Sequence, residues 1–419
     1  MRNVISIALA FIGLIVGAGF ATGQEMVQYF ISFGTVGLWG TLIAGLMIAI
    51  TGIVILQLGS YYLADEHQSV FRSATYTWVA WLLDIAVMIT LFALGFVMLA
   101  GAGSTISQQF GGPSWIGSTI MVVLIIVTGL LDVEKVSKII GGLTPFVILV
   151  VLVAFIYTMF HMPSDWSHLD QLAQQTEPPI RPWWLSAINY AGLDLILAVS
   201  MVLVIGGSYI NPKDTGRGGL LGGAIFTILM LLSSITLFLN MDEIQGSSVP
   251  MLQIFQNMNG WASYLVVWVV YGMIYNTCIG MFYALGRRIS VKDQSKFRVR
   301  YIVLCLVGYA ISFVGFKVLM EYVYPVLGYL GAIMVVVLVA SYLKDRPKIS
   351  AETERRVRLR SLFLRSARSG RRLSRKERRE VRAMLHASNI DEKQLRDTVR
   401  EEVREELEEE RDSTETDKE

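Results

Sequence analysis

The sequence contains little of what builds a catalytic or metal centre, with two cysteines and four histidines in 419 residues. Both thiols, Cys278 and Cys305, lie within apolar segments, so no disulfide framework is expected. No C-x-x-C, H-E-x-x-H, P-loop or G-x-G-x-x-G context is present. We therefore expect neither an enzyme nor a cofactor, and nothing in the chain indicates a nucleic-acid partner.

Charged residues are also scarce, at 17%, whereas hydrophobic residues make up 53% and the mean hydropathy is +0.53. This composition excludes an ordinary soluble domain, and apolar runs near the roughly 20-residue length of a membrane-crossing helix recur along the chain. Arg2 before the first run resembles a signal-peptide start, but the run continues to Ile31 without a small-x-small cleavage pattern. We predict an all-α integral membrane protein with ten transmembrane helices, at residues 4–31, 36–60, 78–102, 115–131, 139–160, 184–206, 219–240, 261–286, 299–316 and 318–343.

Lysine and arginine are distributed unevenly among the predicted loops. If the N-terminus is cytoplasmic, the outer loops hold only Arg181 and Lys317. The inner loops then hold a larger set, namely Arg72, Lys135, Lys138, Lys213, Arg217 and the segment from Arg287 to Arg300. Because basic loops remain on the cytoplasmic side, this pattern predicts that both termini are cytoplasmic.

The composition changes near Leu343, which divides the chain into a membrane domain of residues 1–343 and a charged tail of residues 344–419. The basic segment 352–382 would attract anionic lipid headgroups, or would serve only as a topology anchor. Farther on, four apolar residues recur every fourth position on a charged helix: Leu395, Val399, Val403 and Leu407. This 395–407 stripe is expected to be part of a lone solvated helix, with self-association or partner docking as the alternative. The last residues are expected to be disordered.

The ten predicted spans divide into two halves with corresponding features, at about 1–160 and 184–343. The first span of each half is broken by small or polar residues, at Gly13 to Gly23 and at Asn189 to Leu195. Since five is odd, the halves would lie in opposite orientations in the membrane. This 5+5 inverted repeat, with helices 1 and 6 unwound at the midplane, is typical of secondary transporters.

The first span contains an unusual glycine-rich stretch, GLIVGAGFATGQE, from Gly13 to Glu25. Glycines at 13, 17 and 19 would let the chain leave the helix, and the unpaired backbone groups would be tolerated only around a protein-lined cavity. Carbonyl groups there suit a small cation, and N–H groups suit a carboxylate. The alternative is close helix packing through the small-xxx-small spacing of Gly13 and Gly17.

An acidic residue, Asp194, lies in the middle of the sixth predicted span, beside Gly192 and after Tyr190. An ionisable residue at that depth is costly and by default marks a binding site or pathway. The alternative is a protonated carboxyl group that is bonded to a neighbouring helix.

Three further polar positions are predicted to line a gate or vestibule: Gln24, Glu25 and Lys317. Glu25 lies toward the outer end of the first span, where it would attract a cation, exchange a proton or pair with Lys317, unless it is simply solvated. In the eighth span, Asn276 and Thr277 would complete an oxygen cage for a sodium-sized cation, or would form an interhelical hydrogen bond.

Through the stretch from Gly13 to Glu25, and through GAGF at 17–20, the chain resembles the amino acid–polyamine–organocation (APC) superfamily with the LeuT-type fold. More narrowly it resembles bacterial YkvI-like membrane proteins, which implies a bacterial cytoplasmic (inner) membrane. The segment from Val133 to Phe155 also resembles the fourth-to-fifth helix passage of neurotransmitter:sodium symporters.

The resemblance implies roles for individual residues. The carbonyls of Gly13 and Val16, with Asn276 and Thr277, would form a sodium site. The implied substrate-binding residues are Gly17, Ala18, Gly19, Tyr190, Gly192 and Asp194. Asn276 stands where a hydroxyl is usual, the deep part of the fifth span has no lysine, and Asp194 is not typical of the symporters. Asn276 leaves the selectivity for sodium open, and the missing lysine favours sodium. Asp194 favours a cationic substrate or proton coupling.

We therefore expect a secondary active transporter that moves a small amino-acid-like or amine solute by alternating access, coupled to sodium or alternatively to protons. The alternative is a membrane solute sensor on the same scaffold that signals through the tail. The sequence names neither the solute, the direction of transport nor the oligomeric state.

Overall fold

The computed structural model describes residues 2–130, 143–291, 293–369 and 373–416. Within these ranges the chain is all-helical, as the sequence predicts, and contains no strand. The eighteen α-helices, numbered here in chain order, are α1 Arg2–Ile15, α2 Ala18–Thr22, α3 Gln24–Tyr29, α4 Thr35–Tyr62, α5 His67–Ala74, α6 Thr77–Phe110, α7 Trp115–Gly129, α8 Thr144–Phe160, α9 Trp166–Gln174, α10 Trp183–Gly207, α11 Pro212–Leu239, α12 Met241–Ile244, α13 Pro250–Met258, α14 Gly260–Ile289, α15 Phe297–Ser312, α16 Phe316–Ser369, α17 Arg375–His386 and α18 Glu392–Thr416.

Six of the described helices are long and apolar enough to cross a membrane: α4, α6, α10, α11, α14 and α16. Shorter apolar helices occupy Asn3–Ile15, Trp115–Gly129 and Thr144–Phe160. Each predicted span therefore coincides with a helix or a series of helices, including α15 for the ninth span. Ten crossings and the 5+5 inverted repeat remain predictions. Lys135, Lys138 and the start of the Val133–Phe155 segment lie outside the described residues.

The long helices pack through small residues that let their backbones approach closely. Helix α4 packs against α10 and α11, α10 packs against α16, and α6 packs against α14. A side chain at Gly223 of α11 would overlap Ala49 of α4. Apolar side chains gain little from leaving lipid for protein, so such close approaches are a main source of stability between membrane helices.

The sixth helix is not unwound, which corrects the prediction of a break near Asp194. Helix α10 runs without interruption from Trp183 to Gly207. A Cβ at Gly192 would overlap the carbonyl oxygen of Gly328 on α16, and a Cβ at Gly331 would overlap the carbonyl oxygen of Gly192. Gly192 therefore permits a close helix crossing, because glycine residues of α10 and α16 face each other there.

The tail is folded onto the membrane helices, so the prediction of a lone solvated helix is wrong. Helix α16 continues through the predicted boundary at 343/344 as one helix from Phe316 to Ser369. The side chains of Leu395 and Val399 on α18 are fully buried in a cluster with Leu359, Leu385 and Ile210. This packing covers the first half of the apolar stripe, so self-association through Leu395 and Val399 would require the tail helices to separate.

Candidate functional site

The first span is interrupted at Val16 and Gly17, between α1 and α2. Helix α1 ends at Ile15, so the carbonyl groups of its last turn, including that of Gly13, lack partners further along the same helix. Gly17 has φ −95° and ψ −178°, a conformation that any residue can adopt. An added Cβ there would approach only the carbonyl oxygen of Ile15, at 3.8 Å. The break therefore depends on the local path of the chain and not on a torsion that only glycine permits.

A second bend, at Gly23, does require glycine. Its φ of +77° is in the left-handed region, and it separates α2 from α3. A Cβ at this position would also lie 3.2 Å from Leu237 Cδ1 and 3.3 Å from the Met251 backbone nitrogen. The two bends turn the chain twice between Ile15 and Gln24, which directs α3 back toward the first break.

Glu25 on α3 is placed deep in the bundle by these bends. Its carboxyl group lies over Gly19 so closely that a Cβ on Gly19 would overlap it. The Tyr190 hydroxyl of α10 donates a hydrogen bond to Glu25 Oε2 at 3.3 Å. Only 8% of the Glu25 residue surface is exposed. This hydrogen bond joins the broken first span to the sixth helix.

Asp194 lies one helical turn after Tyr190, so both residues face the same side of α10. Asp194 is also 8% exposed, and its Oδ2 atom has no hydrogen-bond partner among the described residues. The two buried carboxyl groups, Glu25 and Asp194, therefore flank the Tyr190 side chain. A buried, unpartnered carboxyl oxygen is costly and requires a proton, a cation or a solute donor to satisfy it.

The predicted cation cage is divided between the first span and the eighth. Helix α2 packs directly on α14, which carries Asn276 and Thr277. Asn276 Oδ1 is buried and has no hydrogen-bond partner in the described part of the chain. Gly13 faces α8, since a Cβ there would lie 4.0 Å from Thr144 Oγ1. The cage itself, including the Val16 carbonyl, remains a prediction.

The predicted gate pair between Glu25 and Lys317 is not formed. Lys317 Nζ donates to the Gly246 carbonyl oxygen at 2.6 Å. Glu25 is instead buried beside Tyr190. Its neighbour Gln24 is 4% exposed, and the Gln24 Oε1 atom has no hydrogen-bond partner among the residues that the structure describes. The sequence predicts a vestibule position for these two α3 residues because a straight first span would place them near the outer surface. The bend at Gly23 changes that placement.

Three further polar residues belong to this region and were not predicted. Asn189 Nδ2 donates to the Pro325 carbonyl oxygen at 2.9 Å, and the Tyr29 hydroxyl donates to Asn189 Oδ1 at 3.3 Å. The Tyr324 hydroxyl is buried and lies near the Glu25 carboxyl group. Pro325 inside the last span is the available sequence signal, because a proline removes a helical N–H group and disturbs the hydrogen bonding of the helix there. The described residues contain no group of three His, Cys, Asp or Glu side chains that could hold a metal ion.

No protein-family model matches the chain. Two curated relatives come from Bacillus subtilis (strain 168). The membrane protein YkvI is 25% identical over 327 residues, which cover 78% of this chain and 92% of YkvI. The protein YyaD is 23% identical over 333 residues, covering 79% of this chain and 94% of YyaD. The identity to YkvI over most of the chain confirms the resemblance to YkvI-like membrane proteins.

Two solved structures show the same arrangement of helices. MhsT in complex with L-phenylalanine has a TM-score of 0.59 at 14% identity, covering 84% of this chain and 91% of MhsT. The inward-facing conformation of Mhp1 has a TM-score of 0.58 at 12% identity, covering 82% of this chain and 77% of Mhp1. The fold is the LeuT fold. Both of these neighbours are membrane transporters and not enzymes.

Proposed function

We propose that the protein is a secondary active transporter of a small amine or amino-acid-like solute, coupled to sodium or alternatively to protons. The observation that carries this proposal is the broken first span, whose following residues bring Glu25 against Tyr190, one turn from Asp194. Two buried carboxyl groups at a helix break on the LeuT fold suit the binding and release of a cation or a proton. Transport then needs only different affinities for solute and ion in the outward-open and inward-open states.

The position of Glu25 favours an amine over an amino acid. The N–H groups of Ala18 and Gly19 were predicted to hold a solute carboxylate. The Glu25 carboxyl group already lies over Gly19, so a solute carboxylate would meet like charge at that place. An ammonium group would instead be attracted to Glu25 and to the unpartnered Oδ2 of Asp194. Tyr190 and Asp194 remain proposed substrate residues, as does Gly17, whereas Gly192 is occupied by the crossing with α16.

The coupling ion is proposed to be sodium, held by the carbonyl oxygens of Gly13 and Val16 and by side-chain oxygens of Asn276 and Thr277. The unpartnered, buried Asn276 Oδ1 atom supports this proposal, because a cation would satisfy it. Proton coupling would instead use Glu25 and Asp194, whose exchange of one proton would change the charge of the site.

A thermal-shift screen of the purified protein tests both parts of the proposal. Amines and amino acids are added in sodium and in potassium buffers, and a ligand at a hundredfold excess over its Kd stabilises the folded state by about 2.7 kcal/mol. We expect stabilisation by amines to be lost in Asp194→Asn. Stabilisation by sodium should be lost in Asn276→Ala and Thr277→Ala. An unchanged sodium response in both variants would reject the cation cage, and amine binding that is unaffected in Asp194→Asn would reject the substrate site.

A membrane solute sensor is the second candidate function, and one observation favours it. The fully buried Arg356 of the tail donates hydrogen bonds to the backbone carbonyls of Ser60 and Tyr61 at the end of α4. A movement of α4 would therefore reach the tail directly. Uptake of an identified amine into vesicles containing the purified protein would support transport, whereas binding without uptake would support the sensor.

The proposed location is the inner membrane of a bacterium, with both termini in the cytoplasm. The excess of basic residues in the predicted inner loops supports this orientation. The tail segment 352–382 is proposed to contact anionic headgroups through its exposed arginines near the membrane. Labelling of single cysteines placed in the tail and in an outer loop of intact cells would test the orientation.

A further inference from the structure

The tail contains a groove that the transport proposal does not use. It lies between the end of α16, helix α17 and helix α18, and has a volume of about 670 Å³. This volume is within the range of roughly 300–1,000 Å³ that is usual for small-molecule sites. The groove is therefore large enough for a ligand of nucleotide size.

The charge around the groove is of one sign. Five arginines contribute to its lining, and no acidic residue does: Arg378, Arg382, Arg396, Arg400 and Arg404. Of these, Arg404 contacts Glu401 and Glu408 at 3.9 Å and 3.7 Å. No ion pair involves Arg378, Arg382 or Arg396 within the ranges that the structure describes. Several unpaired guanidinium groups around one concave surface attract an anion of multiple charge.

The floor of the groove is apolar and partly aromatic. Phe363 of α16 lines it together with Val381 of α17 and Val403 of α18. The Arg400 guanidinium lies 5.6 Å from the centre of the Phe363 ring. An aromatic ring of a ligand would have both an apolar surface and guanidinium planes on which to stack.

We propose that this groove binds a soluble phosphate ester with an aromatic body, of the nucleotide class. Guanidinium groups bind phosphate oxygens in a bidentate manner, which accounts for the arginine rim. The aromatic body accounts for Phe363, which is partly exposed in the groove and which a purely inorganic anion would leave in contact with water.

A lipid headgroup is the other source of a phosphate for this groove. Arg356 of α16 bonds the carbonyl groups of Ser60 and Tyr61 at the end of α4, and Phe363 follows Arg356 by seven residues, or about 10 Å of helix. The aromatic side chain in the groove favours a soluble ester with an aromatic body, and the test below separates the two sources.

The groove is continuous with the contact between the tail and the membrane helices. Val381 lines the groove and also belongs to the buried cluster that contains Ile210, between α10 and α11. A ligand that orders α17 and α18 would also stabilise this contact, because the same side chains form both. The site is thus placed to make transport respond to a cytoplasmic metabolite.

The test is titration calorimetry of the full-length protein in detergent with ATP as the probe, beside inorganic tripolyphosphate. We expect saturable binding of ATP that weakens with added salt. Arg382→Gln and Arg396→Gln should each weaken ATP binding at least fivefold. Arg379→Gln is the matched control, since Arg379 is adjacent in sequence but absent from the lining. Melting curves establish that each variant is folded.

A second variant separates the apolar part of the site from the charged part. Phe363→Ala should weaken binding of ATP and leave binding of tripolyphosphate unchanged. Equal binding of ATP and tripolyphosphate in all variants would overturn the nucleotide assignment. A loss of ATP binding in Arg379→Gln as large as that in Arg382→Gln and Arg396→Gln would also overturn it. Absence of ATP binding, with binding of phosphatidylglycerol vesicles that depends on Arg382 and Arg396, would assign the groove to lipid instead. None of these outcomes depends on transport.

Discussion

Arg356 provides the sharpest test of how the tail is held. The side chain is completely buried, and it donates hydrogen bonds to the carbonyl oxygens of Ser60 at 2.7 Å and Tyr61 at 2.8 Å. Its Nε atom donates to Glu352 Oε1 at 2.8 Å, and Glu352 itself is 1% exposed. The arginine therefore neutralises a buried carboxylate and satisfies the last carbonyl groups of α4 at the same time.

The substitution Arg356→Ala removes the fully buried cation that pairs with Glu352, whose other partner, Arg355, is partly exposed to water. Removal of one member of a buried pair costs about 3–5 kcal/mol. If this free-energy cost weakens the docking of the tail, the population with the tail released rises by a factor of roughly a hundred to several thousand, since about 1.4 kcal/mol corresponds to tenfold. The lost hydrogen bonds to α4 are part of this figure, because such contributions are not additive.

Hydrogen exchange of amides in α17 and α18 measures this release in the full-length protein. Faster exchange is expected in Arg356→Ala and not in Arg358→Ala, whose exposed ion pair with Glu380 is on the tail surface. In the double variant Arg356→Met with Glu352→Leu, part of the protection should return, because no charge is left buried alone. Unchanged exchange in Arg356→Ala would refute the view that this residue holds the tail.

Three further outcomes follow from the structure. A methyl group in Gly19→Ala would displace the carboxyl group of Glu25 and should weaken amine binding at least tenfold. Gly260→Ala at the start of α14, where a Cβ would meet nothing within 4 Å, should bind normally; equal effects in a binding titration would contradict the assigned geometry. The methyl group in Gly192→Ala would overlap the backbone of α16 and should lower stability by about 1–3 kcal/mol, so an unchanged melting temperature would argue against the close crossing. Burial lowers the pKa of His67 below its ordinary value of 6.5. Thermal stability should therefore fall as the pH decreases through 6.5 toward the lowered pKa, and this fall should be absent in His67→Gln. Equal pH profiles of the melting temperature for the two proteins would contradict this prediction.

The break in the first span illustrates how much of the site was predictable. The glycine run from Gly13 to Gly23 predicted an interruption, and the structure has one at Val16 and Gly17. The same argument failed for the sixth span, because a glycine beside a polar residue has two physical uses. Gly192 permits a close helix crossing, and no single-sequence pattern distinguishes that use from a break.

Glu25 shows why the remaining geometry could not be predicted. Its place in the sequence, 12 residues after Gly13, would lie near the membrane surface on a straight helix. The left-handed bend at Gly23 returns it to the level of Gly19 instead. A single backbone torsion thus changed the environment of this carboxyl group from vestibule to interior.

The sequence by itself determined the all-helical membrane class, the positions of the apolar helices and the identity of the polar residues within them. These properties follow from local composition, because a bilayer imposes a length and a hydrophobicity on every segment that crosses it. Only the tertiary structure decided which polar groups meet. Three contacts join residues that are far apart in the chain: Glu25 with Tyr190, Lys317 with Gly246, and Arg356 with Ser60 at the end of α4. Such contacts depend on bends and helix crossings that the local pattern leaves undetermined.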